Sequence, residues 1–480
     1  MNYPVIARVL SWLLCTEGVL LLLLSIISLV FGEDQGMVYF APAILAIAVG
    51  LLASRRKLPN QAIYQREGFV AVGFSWLLLS LYGALPFVLT GEIPSYVDAL
   101  FEIVSGFTTT GSSILDNVEA LSHTSLFWRS FSHWIGGMGV LVFILMLIPG
   151  NGGTQMNLMR AESPGPDVSK FVPRVRNTAM VLYKIYLSMT LVQIALLAAT
   201  GMNWFHNLCI TFGTAGTGGF GILNDSCTSY TPAQQWIVTV FMIAFGVNFS
   251  FYYLFLLKKV GEACRMEEVR TYIGIILAAG VAIAVQIHGQ FATWEQTFRA
   301  AFFQVGSIIT TTGYSTVDFD QWPSFSKAIL LLLMIIGACA GSTGGGVKVS
   351  RVVLVAKSVK LELEQLLHPH GVQRVRMDGK LVDRQMLNSV FIFMITYFLI
   401  FALSVLVISL DDFSFETNFS AVAATLNNIG PGLAEVGPAR NFSLYSNPAK
   451  LILTFDMMAG RLELLPILIL FYPKTWRKNG

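Results

Sequence analysis

Apolar runs of bilayer length dominate this sequence. A hydrocarbon core of about 30 Å takes about 20 apolar residues of helix. Ten runs meet that length: residues 5–31, 37–54, 68–90, 125–149, 178–201, 232–257, 270–289, 325–356, 385–409 and 446–471. Four shorter apolar stretches lie between them, at 96–110, 203–217, 298–312 and 416–429. At 1.5 Å per residue each makes about 20 Å of helix and reaches only partway through a membrane. Only 12% of the 480 residues are charged, about half the share of a soluble domain, so lipid must cover much of the surface. No Lys/Arg-rich run with interleaved aromatics speaks for nucleic acid, and no HExxH, GxSxG or paired-Asp signature speaks for an enzyme.

The first run follows Arg8 as a signal peptide would, but it ends at Phe31-Gly32-Glu33 without a small-x-small cleavage site, so a retained helix is expected. Threading the ten spans with the N-terminus inside puts 25 of the 31 basic residues on the inner side. That bias gives a multi-pass protein with both termini cytoplasmic. Arg129, Arg299, Lys327, Arg440 and Lys450 stay outside and Arg461 falls within a span. Fifteen of the 28 acidic residues, Glu102 among them, fall on the outer side, a net negative face that concentrates cations. The same threading makes every short stretch enter from outside and return there.

The short stretches share a plan of long span, half-helix, Gly-bearing turn and long span. The turns read Thr108-Thr109-Thr110-Gly111-Ser112, Ala215-Gly216-Thr217-Gly218-Gly219-Phe220, Thr310-Thr311-Thr312-Gly313-Tyr314-Ser315 and Asn427-Asn428-Ile429-Gly430-Pro431-Gly432. Gly111, Gly218, Gly313 and Gly430 follow one another at 107, 95 and 117 residues. Irregular backbone at membrane depth is tolerated only where protein shields it or it lines water. A half-helix ending there aims partly negative carbonyls at the membrane centre, which favours a cation. Glycine permits positive φ, so successive carbonyls can face one axis. Four such turns make a ring of oxygens that replaces an ion's hydration shell, with Thr hydroxyls able to add to it. The candidate ion-binding residues are Thr109, Thr110, Gly111, Thr217, Gly218, Thr311, Thr312, Gly313, Asn428, Ile429 and Gly430.

At these residues the chain resembles the Trk/Ktr/HKT superfamily of K⁺ transporters. The supporting strings are TTTGSS (108–113), GTGGFG (216–221), TTTGYST (310–316), NNIGPGL (427–433), RSFSHWIGGMGV (129–140), AESPGP (161–166), GSTGGGVKV (341–349) and MMAGRLEL (457–464). The match covers essentially the whole chain. The hairpin at 5–54 is similar to the extra two-span segment of the TrkH/TrkG branch. The resemblance implies an all-α integral membrane protein in which four pseudo-repeats of helix, half-helix, filter turn and helix surround one pore. The expected divisions are an N-terminal hairpin at 1–57 and repeats at 58–150, 151–260, 261–365 and 366–480. It also implies K⁺ as the bound ion, because Gly111 stands where a Ser accompanies Na⁺ selectivity in some plant members. No other cofactor is expected in this chain. A homodimer in the cell inner membrane, with one pore per chain and a TrkA-like ring of nucleotide-binding domains beneath it, is implied in the same way.

Residues 337–346 read Gly-Ala-Cys-Ala-Gly-Ser-Thr-Gly-Gly-Gly inside an apolar run. Glycines this dense do not hold a regular helix. A Walker loop would need Gly-Lys-Ser/Thr, which is missing. The span at 325–356 should therefore break around a plug, and by resemblance Gly341, Ser342, Thr343, Gly344, Gly345 and Gly346 form the intramembrane gate loop. A static kink would use the same residues. Arg461, with Asp456, Glu463 or the loop carbonyls as partners, would place a positive charge beside the ion path or serve as a packing ion pair. Cys209 and Cys227 are either a disulfide near the outer surface or two buried thiols. Passive gated K⁺ conduction is the first expected function. An H⁺- or Na⁺-coupled secondary transporter using the same midplane site is the alternative, although spans hold few ionisable groups besides Glu17, Asp456 and Glu463.

Overall fold

The structure, a computed structural model, describes residues 1–55, 64–139, 175–368 and 374–477. Among these the fold is all-α; the sole sheet pairs Arg376–Met377 with Lys380–Leu381. The AESPGP string at 161–166 lies outside the described residues.

Helices Tyr3–Phe31 and Gly36–Ser54 form the N-terminal hairpin and pack closely along their length. With no hydrophobic driving force between helices in lipid, such contacts depend on small residues that let backbones approach. A Cβ on Gly50 would stand 2.6 Å from the Ser11 carbonyl oxygen. The first of these helices also packs on repeat 1.

Four repeats follow. Each opens with a long helix: Gln65–Gly83, Val175–Ala199, Glu267–Ile287 and Arg384–Ile408. Among the described residues, these four and the two hairpin helices are the six that are long and apolar enough to cross a bilayer unbroken. Each repeat then carries a half-helix: Tyr96–Phe107, Trp204–Gly216, Trp294–Ile309 and Phe415–Leu426. All four start on a side-chain cap, since Ser95, Asn203, Thr293 and Ser414 each accept a backbone N–H of the first turn. Asp98, Glu295 and Glu416 add negative charge at the positive helix end. The half-helices are thus fixed at one end by local sequence and end deep in the protein at the other.

The second helix departs from the continuous span expected at 232–257 and 446–471, and the end of the span expected at 125–149 lies outside the described residues. In repeat 2, Pro232–Phe245 and Phe249–Leu256 meet at 89°. Asn248 causes the new start, its Oδ1 accepting the Ser250 N–H at 2.9 Å. In repeat 4, Asn447–Arg461 stops before Glu463 and Leu464, both at positive φ, and Leu465–Phe471 restarts with Pro466 in its first turn. In repeat 1, His123–Gly137 gives way to Gly139 at φ 82°, where the described segment ends. Repeat 3 breaks where the glycine density said it must, with Ser324–Ile336 and Val349–Leu367 flanking an irregular segment. Hydropathy does not see these breaks, because one or two polar, charged or small residues leave the average apolarity of a run intact.

Candidate functional site

The four half-helices end in one motif. Thr109, Thr217, Thr311 and Asn428 take φ of 56°, 53°, 59° and 57°. The next residue in each turn donates its N–H back to the half-helix at 2.8 Å, to Ser105, Gly213, Ser307 and Ala424 carbonyls respectively. That is the Schellman stop. One residue further on, Gly111, Gly219, Gly313 and Gly430 are again at positive φ, 84°, 77°, 84° and 104°. This sets the register of repeat 2. The residue equivalent to Gly111 is Gly219, and Gly218 occupies the position of Thr110, Thr312 and Ile429. The glycine spacing read from sequence was therefore offset by one in that repeat, because Thr217-Gly218-Gly219 offers two glycines and only backbone handedness separates them.

A β-branched residue at positive φ is a strained exception. Three Thr in that state, all buried, mean that surrounding packing imposes it. Positive φ at the first and third residues of each turn, and not at the second, is the alternation that lets consecutive carbonyls face one side.

The turns meet in a closed ring. A Cβ added to Gly111 would overlap the carbonyl oxygen of Gly218, one on Gly219 that of Thr312, and one on Gly313 that of Ile429. One on Gly430 would lie 3.0 Å from the Thr110 carbonyl oxygen. Each repeat thus presses one carbonyl against the preceding repeat's glycine, 2 on 1, 3 on 2, 4 on 3 and 1 on 4. Every residue of the sequence-based set lies in this ring or in the Schellman turn that leads into it.

Side chains brace the ring. Thr110 Oγ1 lies 2.8 Å from Thr108 Oγ1 and accepts Asn428 Nδ2 at 2.9 Å, while Asn428 Nδ2 also reaches the Met457 carbonyl at 2.8 Å. Thr310 and Thr312 repeat the hydroxyl pair at 2.8 Å. Thr217 donates to the Gly216 carbonyl at 2.6 Å. Ser112 donates to the Gly430 carbonyl at 2.9 Å, and Ser307 to that of Tyr314 at 2.6 Å. The Thr hydroxyls thus hold the scaffold, and the ring itself is main chain.

Two braces escaped the sequence reading. His133, fully buried, pairs through Nδ1 with the Gly106 carbonyl at 2.7 Å and accepts the Phe220 N–H on Nε2 at 3.2 Å, so it wedges turns 1 and 2 together. Its imidazole inside an apolar span was the available signal. Glu102 and Arg129, assigned to the outer surface from sequence, form a fully buried ion pair at 2.8 Å. Glu102 also accepts from Ser113 Oγ and the Ile114 N–H, both at 3.0 Å, and Arg129 donates to the Gly221 carbonyl at 3.1 Å. This cluster ties the segments leaving turns 1 and 2. Removing one partner of such a pair strands the other charge, which costs about 3–5 kcal/mol. Glu102→Ala should therefore lower the thermal unfolding midpoint in detergent sharply, and Glu102→Gln less. An unchanged midpoint for Glu102→Ala would contradict the pairing. Arg299, Lys327, Arg440 and Lys450 each pair with an acid as well: Glu295, Asp320 and Glu416, Glu435, and Asp98 respectively.

The segment between the broken halves of repeat 3 packs against the same ends. Gly345 N–H donates to Thr311 Oγ1 at 2.7 Å, and a Cβ on Gly345 would sit 2.5 Å from the Asn427 carbonyl oxygen. Thr343 Oγ1 donates to the Phe245 carbonyl at 3.2 Å, and Cys339 N–H to that of Gly246 at 3.1 Å, where the repeat 2 helix breaks. Arg461 donates to the Thr343 carbonyl and the Gly137 carbonyl, both at 2.8 Å, and also to Gly136. Of the partners foreseen for Arg461, the loop carbonyl is the one used here. Glu463 pairs with Lys348 and Arg351, and Asp456 accepts from Ser404 at 2.7 Å. Cys209 and Cys227 are both buried free thiols, so the disulfide reading is set aside.

Three comparisons bear on this arrangement. A family model described as TrkH, cation transport protein, matches residues 35–281 and 289–478. The Trk system potassium uptake protein TrkH of Escherichia coli K12 is 34% identical over all of both chains. The TrkG protein of the same strain is 31% identical over 94% of each chain. The crystal structure of the potassium transporter TrkH from Vibrio parahaemolyticus superimposes with a TM-score of 0.87 at 31% identity, covering 99% of this chain and 100% of that one.

Proposed function

The chain belongs to the TrkH family of cation transport proteins, which are transporters and not enzymes, and on that premise we propose that it takes up K⁺ across the cell inner membrane through one gated, carbonyl-lined pore. The closed ring of main-chain carbonyls carries this reading. Thr109 to Gly111, Thr217 to Gly219, Thr311 to Gly313 and Asn428 to Gly430 supply the oxygens that replace the hydration shell of a dehydrated ion. The half-helix C-termini behind them add partial negative charge without any carboxylate, which suits a weakly held monovalent ion in transit. One short oxygen stack per repeat gives a modest preference for K⁺ over Na⁺. Residues 341–346, packed on the half-helix ends and held by Arg461, serve as the gate below the ring.

The repeats run over residues 58–150, 151–260, 261–365 and 366–480, with the hairpin at 1–57 and both termini on the cytoplasmic side, as the basic-residue bias supports. Relatives named as parts of a Trk system suggest further components for this chain too. The proposed assembly is a homodimer over a TrkA-like nucleotide-binding ring. The coupled-carrier alternative draws less support, since Asp456 and Glu463 are engaged by Ser404 and by Lys348 and Arg351 rather than by the turns. Reconstituted flux with K⁺, Rb⁺, Na⁺ and Li⁺ tests the proposal. K⁺ and Rb⁺ should pass faster than Na⁺ and Li⁺, with unitary current steps in a bilayer. Equal flux for all four ions would remove the ring from the mechanism, and flux strictly tied to H⁺ would move the assignment to the coupled carrier.

A further inference from the structure

One carboxylate closes the neck of the irregular segment in repeat 3. Glu268, on the first turn of Glu267–Ile287, is 4% exposed. Its Oε1 accepts the Ala340 N–H at 2.6 Å and the Ser350 N–H at 3.1 Å. Those donors stand on either side of the 341–349 stretch, so a single oxygen pins both of its ends. Oε2 accepts Asn248 Nδ2 at 3.3 Å, and Asn248 sits at the break of the repeat 2 helix. Next to it, Phe249 N–H donates to the Gly341 carbonyl at 2.9 Å. The carboxylate therefore joins three elements: the opening helix of repeat 3, the break in repeat 2 and the loop neck.

Among the described residues no Lys or Arg pairs with Glu268. Its partners are the Asn248 amide and two main-chain N–H groups, one of them in the first turn of Val349–Leu367, where the helix end is partly positive. Hydrogen bonds to an ionised group are the strong ones. A buried carboxylate whose donors all lie at the two helix breaks makes parting of those breaks unfavourable until other donors reach it.

We propose that Glu268 is the positioning residue that latches residues 341–346 against the ring, so that its loss opens the pathway. This rests on the gate reading given above. It adds that the latch is a side chain on an intact helix that holds the loop's two ends, whereas Arg461 holds the Thr343 carbonyl within it. Ser350→Pro removes one of the two N–H donors and leaves Glu268 in place, and proline is tolerated in a first helical turn.

The test is resting Rb⁺ uptake by the full-length protein in liposomes, comparing the parent with Glu268→Ala, Glu268→Gln, Ser350→Pro, the Glu268→Ala/Ser350→Pro double variant and a 341–346 deletion. Glu268→Ala removes all three accepted hydrogen bonds and should raise flux at least roughly tenfold, the scale of one such charge-assisted bond. Glu268→Gln keeps an acceptor oxygen and should fall between parent and Ala. Ser350→Pro should raise flux by itself and add little to Glu268→Ala, because both remove the same bond. The Rb⁺/Na⁺ ratio should not change. If Glu268→Ala does not fold, Glu268→Gln and Ser350→Pro carry the comparison. Parental flux in the point variants together with raised flux in the deletion would overturn the latch and leave the gate standing. Parental flux in the deletion as well would overturn the gate reading itself. A changed Rb⁺/Na⁺ ratio, or fully additive effects in the double variant, would also overturn the latch.

Discussion

Gly111→Ser and Gly313→Ala are expected to cut the preference for K⁺ over Na⁺ by about tenfold, which corresponds to about 1.4 kcal/mol. Two effects add. Both glycines are at φ 84°, where a side chain costs about 1–2 kcal/mol. Each new Cβ also overlaps a neighbouring repeat's carbonyl oxygen, that of Gly218 for Gly111 and that of Ile429 for Gly313. The oxygen that must move is one proposed to bind the ion, so the damage reaches selectivity before stability. The register in repeat 2 sharpens the test. Gly219→Ala should behave like Gly313→Ala, because its Cβ meets the Thr312 carbonyl at φ 77°. A Cβ on Gly218 instead runs into the His133 ring, so Gly218→Ala should disturb the wedge between turns 1 and 2. Rb⁺/Na⁺ uptake ratios in liposomes decide it. Unchanged ratios in Gly111→Ser and Gly313→Ala together would falsify the ring as the selective element.

Deleting residues 341–346 is expected to raise resting flux at least about tenfold, the shift that follows from removing a few kcal/mol of bias toward a closed state. The loop touches Thr311 and the Asn427 carbonyl directly, and it is stitched to Phe245 and to Arg461. None of these contacts is an extended apolar surface, so little of the fold depends on the loop. Breaking one should loosen it in part: Arg461→Gln gives up the charge that holds Thr343 and should raise flux less than the deletion. Flux at or below the parental level in the deletion would make the segment a static kink.

These expectations separate what was legible in the residues from what was not. Hydropathy located the hairpin, the four long helices and the four half-helices, because burial in lipid demands unbroken apolar length and the caps at Ser95, Asn203, Thr293 and Ser414 are local signals. Glycine density foretold the break in repeat 3 for the same local reason. The breaks at Gly246–Asn248 and Glu463–Leu464 were hidden, since short polar or charged interruptions leave the average apolarity of a run intact.

The sequence by itself determined that the chain lives in lipid, that it repeats a dipping half-helix four times, and that each dip ends in a glycine-bearing turn. Those properties follow from composition and from short-range sterics. Tertiary structure decided the rest: that the turns close one ring, that Gly219 rather than Gly218 aligns with Gly111, that Glu102 pairs with buried Arg129, and that Glu268 meets both ends of the loop. Each of these depends on atoms far apart in the chain, and a carbonyl's direction is set by backbone handedness that packing imposes, which no residue type specifies by itself.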